Sequence, residues 1–280
     1  MTTITTEIQI SGIGLMDGKE ATVKITPSSR KGIYFYPENS NIAIKACLDN
    51  VISTSHCTVL GYQDKQVRVV EHFMAACAFA GIDDLEVYLS SSEIPILDGS
   101  ALIWIEALKK AGKTDIDENN YLNFEIKEPT FFSLYNTNLV LLPSENFTVS
   151  YCVNFQHPDL ERKWYSWNIL DNPDQIIEAR TFGYLKDLEN FQKTGLALGA
   201  KIDNIVGLTE SGYTTELRSE DEPIKHKILD LIGDLRLLEL NPLSLKAHII
   251  AQEAGHKTHI EFARVIQHFM ERKLCQQTKN

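Results

Sequence analysis

The side chains best suited to chemistry lie in two short segments, Val70-Glu71-His72 and His226 to Asp230. His226 and Asp230 are four residues apart, so on a helix both side chains leave one face and can bind a single ion. His72 would supply a third ligand from elsewhere in the fold, and the Glu71 carboxylate beside it could act on bound water. Three protein ligands and one open position are typical of a catalytic zinc, whereas structural zinc sites usually have four protein ligands. The pattern predicts a metal-dependent hydrolase.

A structural interpretation of the same helix competes with this one. A single histidine on a helix is more often a hydrogen-bonded structural residue than a ligand, and His-x3-Asp alone is a weak signal. However, His226, Asp230 and Asp234 form one polar stripe along an otherwise apolar helix. Burying that stripe without hydrogen-bond or metal partners would cost roughly several kcal/mol of folding free energy. A metal at one end and the imidazole of Gly255-His256 beside Asp234 would supply partners, since a carboxylate orients an imidazole and raises its pKa. From these residues alone, both interpretations stay open.

The composition is that of a globular protein and excludes several functional classes. A net charge of -11 argues against a broad nucleic-acid-binding surface, so we expect no nucleic-acid partner. The cysteines are widely spaced without a CxxC pair, which favours reduced thiols in a cytoplasmic protein. The first residues lack the basic and apolar regions of a secretory signal, and no apolar run approaches the roughly 20 residues that span a bilayer. We expect a cytoplasmic protein without an integral membrane segment.

The pattern of hydrophobic and turn-forming residues alternates between short strands and helices in two halves of similar length. Strands are predicted at 3–9, 21–26, 33–36, 66–70, 85–89, 122–127, 138–142 and 147–153, and helices at 73–80, 101–112, 185–193, 223–238 and 260–273. This order predicts an α+β fold of two similar layered domains, each a β-sheet packed with α-helices, although no residue-level repeat is visible. The polar stretch 113–125 is the candidate boundary, giving domains at 1–120 and 121–280.

Seven segments, in order along the chain, resemble those of the UDP-3-O-acyl-N-acetylglucosamine deacetylase family, the zinc amidases that commit a cell to lipid A synthesis. They are Gly12-Ile-Gly14-Leu, Val70-Glu71-His72, Glu93 to Ser100, Ala179 to Gly183, Gly195 to Gly199, His226 to Leu235, and Gly255-His256. Each segment is unremarkable, but the ordered set is specific and covers roughly residues 10 to 270. The resemblance implies an active site between the two domains, small inserted subdomains, and a passage for a fatty acyl chain in an insert at about 180–208.

The resemblance also implies a role for each matching residue. His72, His226 and Asp230 would hold one zinc ion, with iron(II) as an alternative metal, and Glu71 would be the general base. Thr181 would donate a hydrogen bond to the oxygen of the tetrahedral intermediate. His256, held cationic by Asp234, would stabilise developing charge and protonate the leaving amine. The implied substrate-binding residues are Lys227, pointing off the ligand face towards a diphosphate, Phe182, packing on the sugar or acetyl group, and Gly199, in the acyl passage.

Three residues depart from the pattern of this family. Met16 stands where histidine is common, His259 replaces the asparagine of Gly-His-x-x-Asn, and Lys201 replaces a small polar residue near the acyl passage. These departures keep two alternatives open: a zinc deacetylase of altered substrate, and a non-catalytic relative that binds a nucleotide sugar or acyl ligand. The expected partner is a small amphiphilic UDP-sugar, which makes transient membrane contact reasonable, and the expected oligomeric state is a monomer.

Overall fold

The computed structural model describes residues 2–115 and 126–277 of the chain. Strands and helices of these residues form several sheets packed against helices, which confirms the predicted α+β fold. The strands are β1 (Thr2–Ile4), β2 (Ile8–Ile13), β3 (Glu20–Pro27), β4 (Ile33–Tyr36), β5 (Ile44–Lys45), β6 (Val51–Ser53), β7 (Val59–Tyr62), β8 (Lys65–Arg68), β9 (Leu85–Leu89), β10 (Lys113–Asp115), β11 (Thr130–Leu134), β12 (Thr137–Pro143), β13 (Thr148–Val153), β14 (Lys163–Asn168), β15 (Phe182–Tyr184), β16 (Val206–Leu208) and β17 (Ala247–Gln252). The α-helices are α1 (Glu71–Ala80), α2 (Leu102–Ala111), α3 (Asp174–Ile177), α4 (Leu185–Lys193), α5 (Glu222–Leu235) and α6 (His256–Gln277).

Two five-stranded sheets share one topology. Their strand orders are β2-β3-β9-β4-β5 and β11-β12-β17-β13-β14, so numbering each sheet along the chain gives 1-2-5-3-4 in both. In each sheet strands three and five are parallel and the other neighbours are antiparallel. Parallel neighbours need a crossover connection, which contains α1 in the first half and α5 in the second. The structure therefore confirms the duplicated architecture that the alternation of elements predicts.

The helices of the two halves pack together in a shared core. α1 packs against α2 and α5, and α5 packs against α6. One continuous hydrophobic cluster includes Phe73 of α1, Ile228 of α5, Val23 of β3 and Ile249 of β17. Alternate residues of β3 and β17 face this cluster because successive side chains of a strand point to opposite faces. The first turns of α1 and α6 and one side of α5 are thereby held close together.

A small insert precedes the crossover helix in each half. In the first half it is the antiparallel sheet β6-β7-β8, and in the second it is β15, α4 and β16, with the two strands parallel. The second insert is a β-α-β unit at the predicted place, and α4 has the bounds that the sequence predicts. This insert is the one that the family resemblance predicts to form the acyl passage.

Several element predictions need correction. The strand predicted at 66–70 ends at Arg68, because Val69 has a left-handed φ of 58°. The helix predicted at 260–273 begins earlier, at His256, and the one at 223–238 is α5 followed by a 3-10 turn over Arg236–Leu238. The periodicity missed β11, β14 and β17 among others. Of the strand predicted at 122–127, residues 122–125 lie outside the described residues and 126–127 are not in a strand.

The predicted boundary at 120/121 also lies outside the described residues, so the division into domains stays a prediction. No helix in the described part of the chain combines the length and the hydropathy needed to cross a membrane.

Candidate metal centre and active site

A very close approach of two helices brings the two halves of the site together. Glu71 and His72 form the first turn of α1 and are buried, and Gly233 of α5 faces the same turn. A Cβ atom on Gly233 would lie 2.0 Å from the carbonyl oxygen of Glu71, far inside any real contact. Only glycine allows the two backbones to meet at this distance. The crossing therefore places Glu71 and His72 beside the polar stripe of α5.

The three predicted metal ligands converge on one point. His72, His226 and Asp230 are buried, and one potential ligand atom from each lies within 4.8 Å of the other two. His226 Nε2 is 3.2 Å and His72 Nε2 is 3.7 Å from Asp230 Oδ1. In the described residues, Asp230 Oδ1 is buried without a hydrogen-bond partner. Because a buried carboxylate oxygen without a partner is costly, this atom is suited to bind a cation.

The donor set fits a small divalent metal. Atoms bound to one tetrahedral ion at about 2.0–2.1 Å lie about 3.3 Å apart, which is near the 3.2 and 3.7 Å found here. His226 Nδ1 lies 2.9 Å from the carbonyl oxygen of Ala179, so it carries the proton and leaves Nε2 free to coordinate. Burial, followed by the neighbouring His226, lowers the pKa of His72 to about 3, which keeps that ring neutral. Two neutral imidazoles and one carboxylate favour zinc and related divalent ions.

Lys227 corrects one prediction from the sequence. It does not point away from the ligand face, because its Nζ atom lies 2.8 Å from Asp230 Oδ2. Burial alone would raise the pKa of Asp230, but His226 and Lys227 hold it well below its ordinary value. Lys227 thus engages one carboxylate oxygen and leaves the other facing the two histidines. A contact between Lys227 and a diphosphate stays a prediction.

A carboxylate and a cationic imidazole flank the candidate metal ligands. Glu71 Oε1 lies 3.7 Å from His256 Nε2, which is also 3.9 Å from Asp230 Oδ2. Burial, more than any neighbouring charge, raises the pKa of Glu71 to about 7. Although burial favours a neutral His256 ring, the carboxylates of Asp234, Asp230 and Glu71 outweigh it and raise its pKa to about 9. A group suited to accept a proton near neutral pH therefore faces one that carries a proton.

Asp234 is the centre of a buried hydrogen-bond network. Its Oδ2 atom is 2.9 Å from Nδ1 of both His256 and His259, and its Oδ1 atom accepts a 2.5 Å hydrogen bond from the Thr58 hydroxyl. His259 Nε2 continues the network to the Tyr151 hydroxyl at 2.9 Å. The predicted pairing of Asp234 with His256 is present. Nothing in the sequence pattern indicated Thr58, and His259 was predicted only as a departure from the family pattern.

A cavity of about 590 Å³ opens beside this site, between the two inserts. Thr181 and Phe182 line it, and the ring of Phe182 lies 6.2 Å from that of His226. The backbone of Thr181 forms hydrogen bonds with Gly99 and Val206, which hold this residue at the cavity wall. Much of the remaining wall is apolar and comes from both inserts and the end of β2. The apolar residues include Leu15, Met16, Val59, Leu188, Phe191 and Ile205.

Gly199 is placed next to the cavity rather than in its wall. A Cβ atom there would lie 2.0 Å from the carbonyl oxygen of Gly14, and the Gly199 N–H donates to the Leu15 carbonyl. Glycine is needed because the second insert packs on the backbone after β2, and neighbouring Ala197 reaches the cavity instead. Of the departures from the family pattern, Met16 lines the cavity, whereas Lys201 lies exposed on the surface.

The fold and the site are those of one class of protein, an α+β hydrolase with a candidate metal centre. A family model described as "LpxC: UDP-3-O-acyl N-acetylglycosamine deacetylase" matches residues 1–268. A UDP-3-O-acyl-N-acetylglucosamine deacetylase of Thermodesulfovibrio yellowstonii is 36% identical over 266 residues, which cover 94% of this chain and 90% of the relative. Proteins of that name from Leptospira biflexa and a Nostoc species are 36% and 35% identical, over 94% of this chain and 88% and 97% of their own lengths. The chain therefore belongs to the UDP-3-O-acyl-N-acetylglucosamine deacetylase family.

Proposed function

We propose that this protein hydrolyses the N-acetyl group of UDP-3-O-(3-hydroxyacyl)-N-acetylglucosamine, releasing acetate and a free amine in the committed step of lipid A synthesis. One observation carries the proposal: the metal-ligand triad and the facing Glu71 and His256 lie beside an apolar cavity. The first group of residues can activate water for the hydrolysis of an amide, and the apolar cavity can hold a fatty acyl chain. The family membership supports both the reaction and the nucleotide-sugar substrate.

His72, His226 and Asp230 would hold the metal, which we propose to be zinc, with iron(II) as an alternative. When bound, such an ion lowers the pKa of water towards ~7 and polarises a carbonyl oxygen. Glu71 takes the proton of the attacking water, for which its raised pKa is well matched. His256 holds a proton and gives it to the leaving nitrogen when the carbon–nitrogen bond breaks. Asp234 keeps that imidazole oriented and cationic.

Binding of the substrate would use the cavity and its rim. Thr181, which lines the cavity, would donate a hydrogen bond from its hydroxyl to the oxygen on which negative charge develops. Phe182 would pack on the sugar or the acetyl group, and the acyl chain would lie along the apolar wall. Lys227 could reach a phosphate only with the part of its ammonium group that Asp230 leaves free. Gly199 would support the passage through its packing on Gly14 rather than through contact with substrate.

A deacetylase of altered substrate is the second candidate, and Met16 is the observation that favours it. This side chain departs from the family pattern and lies in the cavity wall, where it can change which acyl chains fit. A relative that only binds a ligand is less consistent with the site, since binding alone needs no base opposite an acid. The cytoplasmic location and the monomeric state stay predictions.

The proposal is tested by measuring acetate release from UDP-3-O-(3-hydroxymyristoyl)-N-acetylglucosamine at matched zinc content. Wild-type protein should turn over, Glu71→Ala should keep zinc and lose most turnover, and His226→Ala should lose zinc affinity. Glu106→Ala removes an exposed carboxylate on α2 and is the matched control, with unchanged activity expected. A zinc-loaded wild type that fails with this substrate but cleaves a nucleotide sugar lacking the acyl chain would point to the second candidate. Inactivity towards both would overturn the hydrolase assignment.

A further inference from the structure

We infer that Thr58 is a positioning residue that fixes the distance between the base and the acid of this site; the inference rests on the proposed function. Thr58 lies in the turn between β6 and β7, is fully buried, and belongs to the first insert. Neither its sequence context nor the family resemblance indicated a role. Its three polar groups, the backbone N–H, the carbonyl and the hydroxyl, all bond to elements that carry the proposed catalytic residues.

The backbone of Thr58 forms hydrogen bonds with Glu71 and with the residue before it. Its N–H donates to Glu71 Oε2 at 3.1 Å, and its carbonyl oxygen accepts from the N–H of Val70 at 3.5 Å. Val70 immediately precedes α1, so these two bonds tie the turn to the first residues of that helix. The carboxylate of Glu71 is therefore oriented with Oε2 towards Thr58 and Oε1 towards His256.

The hydroxyl of Thr58 positions His256, the proposed acid, through the carboxylate of Asp234. It donates to Asp234 Oδ1 at 2.5 Å, while Asp234 Oδ2 bonds to His256 Nδ1. The chain of contacts from Glu71 through Thr58 and Asp234 to His256 closes on itself across the 3.7 Å gap between Glu71 Oε1 and His256 Nε2. Glu71 Oε1, which accepts a proton, and His256 Nε2, which donates one, lie at the two ends of this series of contacts. Thr58 therefore sets the distance between these two atoms.

Thr58 contacts Glu71 through its backbone N–H and Asp234 through its side-chain hydroxyl. Substitution leaves the backbone N–H on Glu71 in place, so a change of side chain perturbs the acid more than the base. Valine has nearly the shape of threonine but lacks the hydroxyl, and it would leave Asp234 Oδ1 buried without that donor. Serine retains the hydroxyl. Thr58→Val and Thr58→Ser therefore separate the hydrogen bond from the volume of the side chain.

The test compares Thr58→Val, Thr58→Ala and Thr58→Ser in full-length zinc-loaded protein. We expect Thr58→Val and Thr58→Ala to lower kcat by about tenfold to a hundredfold, the range for lost supporting contacts at metal sites, with KM changed less than about twofold. Thr58→Ser should restore most of kcat. Thr3→Val is the matched control: Thr3 is also buried, and its hydroxyl donates to the Asp84 carbonyl, away from the site. It should leave kcat unchanged.

A double-mutant cycle shows whether Thr58 acts through the acid. In a His256→Ala background, Thr58→Val should change the residual kcat by less than about twofold. A structural role would instead lower kcat by the same factor in both backgrounds, which would overturn the inference. Loss of folding by both Thr58→Val and Thr58→Ala, with Thr3→Val folded, would overturn it as well, since the hydroxyl would then be required for the fold.

A spectroscopic readout keeps this test separate from that of the proposed function. In protein with 15N-labelled histidine, the Nδ1–H proton of His256, assigned with His256→Ala, should shift in Thr58→Val and return in Thr58→Ser. This shift is expected whether or not the tested nucleotide sugar is a substrate. An unshifted resonance in Thr58→Val would contradict the inference even if the protein is an active deacetylase.

Discussion

Replacing Gly233 by alanine should damage the metal centre although no ligand changes. Alanine has the higher helix propensity, so propensity alone predicts that the substitution in α5 stabilises the protein by about 0.5–1 kcal/mol. The structure predicts the opposite sign, because the added methyl group would lie 2.0 Å from the carbonyl oxygen of Glu71. That oxygen belongs to the backbone of α1, so no side-chain rotation can relieve the clash.

The size of the effect follows from the distance. Real Cβ contacts are essentially never shorter than 3.0 Å, so α1 and α5 must move apart by at least the difference between 3.0 and 2.0 Å, which is 1.0 Å. Overpacking a core costs about 1–3 kcal/mol, and a clash with backbone belongs at the upper end of that range, so a net loss of about 2–2.5 kcal/mol remains after the gain in propensity. The moving turn carries both Glu71 and His72, and a displacement of about 1 Å at a reacting centre can lower the rate about a hundredfold.

The assay combines three measurements on Gly233→Ala: the midpoint of thermal unfolding, the zinc content after dialysis, and kcat. We expect a midpoint several degrees lower, at about 2–4 °C per kcal/mol for a chain of this size. Zinc retention and kcat should both fall. Gly212→Ala is the matched control because a Cβ atom at Gly212 has no neighbour within 4 Å, and it should change none of the three quantities. A Gly233→Ala protein with a higher midpoint, full zinc content and normal kcat would refute the reasoning.

Other residues give further predictions. Burial alone would raise the pKa of Glu222, but hydrogen bonds from the Arg180 guanidinium and from the backbone N–H groups of Arg180 and Arg218 lower it below the ordinary value of 4.5. The ionised carboxylate therefore stabilises the fold at pH values above 4.5, and this contribution is lost as pH falls. Urea unfolding of Glu222→Gln should show a deficit of about 3–5 kcal/mol at pH 7 that shrinks below pH 4.5, and a deficit independent of pH would argue against the ion pair. His259→Phe removes one donor to Asp234 and should lower the free energy of unfolding by about 1–3 kcal/mol, measured by denaturant unfolding; unchanged stability would contradict the network. Met16→Ala enlarges the cavity and should shift kcat/KM towards longer acyl chains in a chain-length series, whereas an unaltered preference would place the chain elsewhere.

Local regularity made part of this structure predictable. α4 has the predicted bounds, and the pairing of His226 with Asp230 follows from the helical repeat within a single element. The alternation of elements predicted the duplicated halves that the two sheets show. In contrast, β14 is an edge strand with sequence KWYSWN, in which polar and aromatic residues do not alternate, so periodicity did not indicate it and pairing with β13 defines it. The start of α6 at His256 was missed because the apolar stripe begins four residues later.

The sequence by itself supplied the chemical inventory: two imidazoles and a carboxylate suited to a metal, with Glu71 and His256 as candidates for proton transfer. It also determined the family, because the ordered segments are specific as a set. Only the tertiary structure decided which atoms meet. Thr58 and Asp234 are 176 positions apart, and Lys227 turns towards the metal ligands instead of away from them. Such contacts depend on how closely helices and inserts pack, which here follows from the glycine at 233 and cannot be read from residue spacing along the chain.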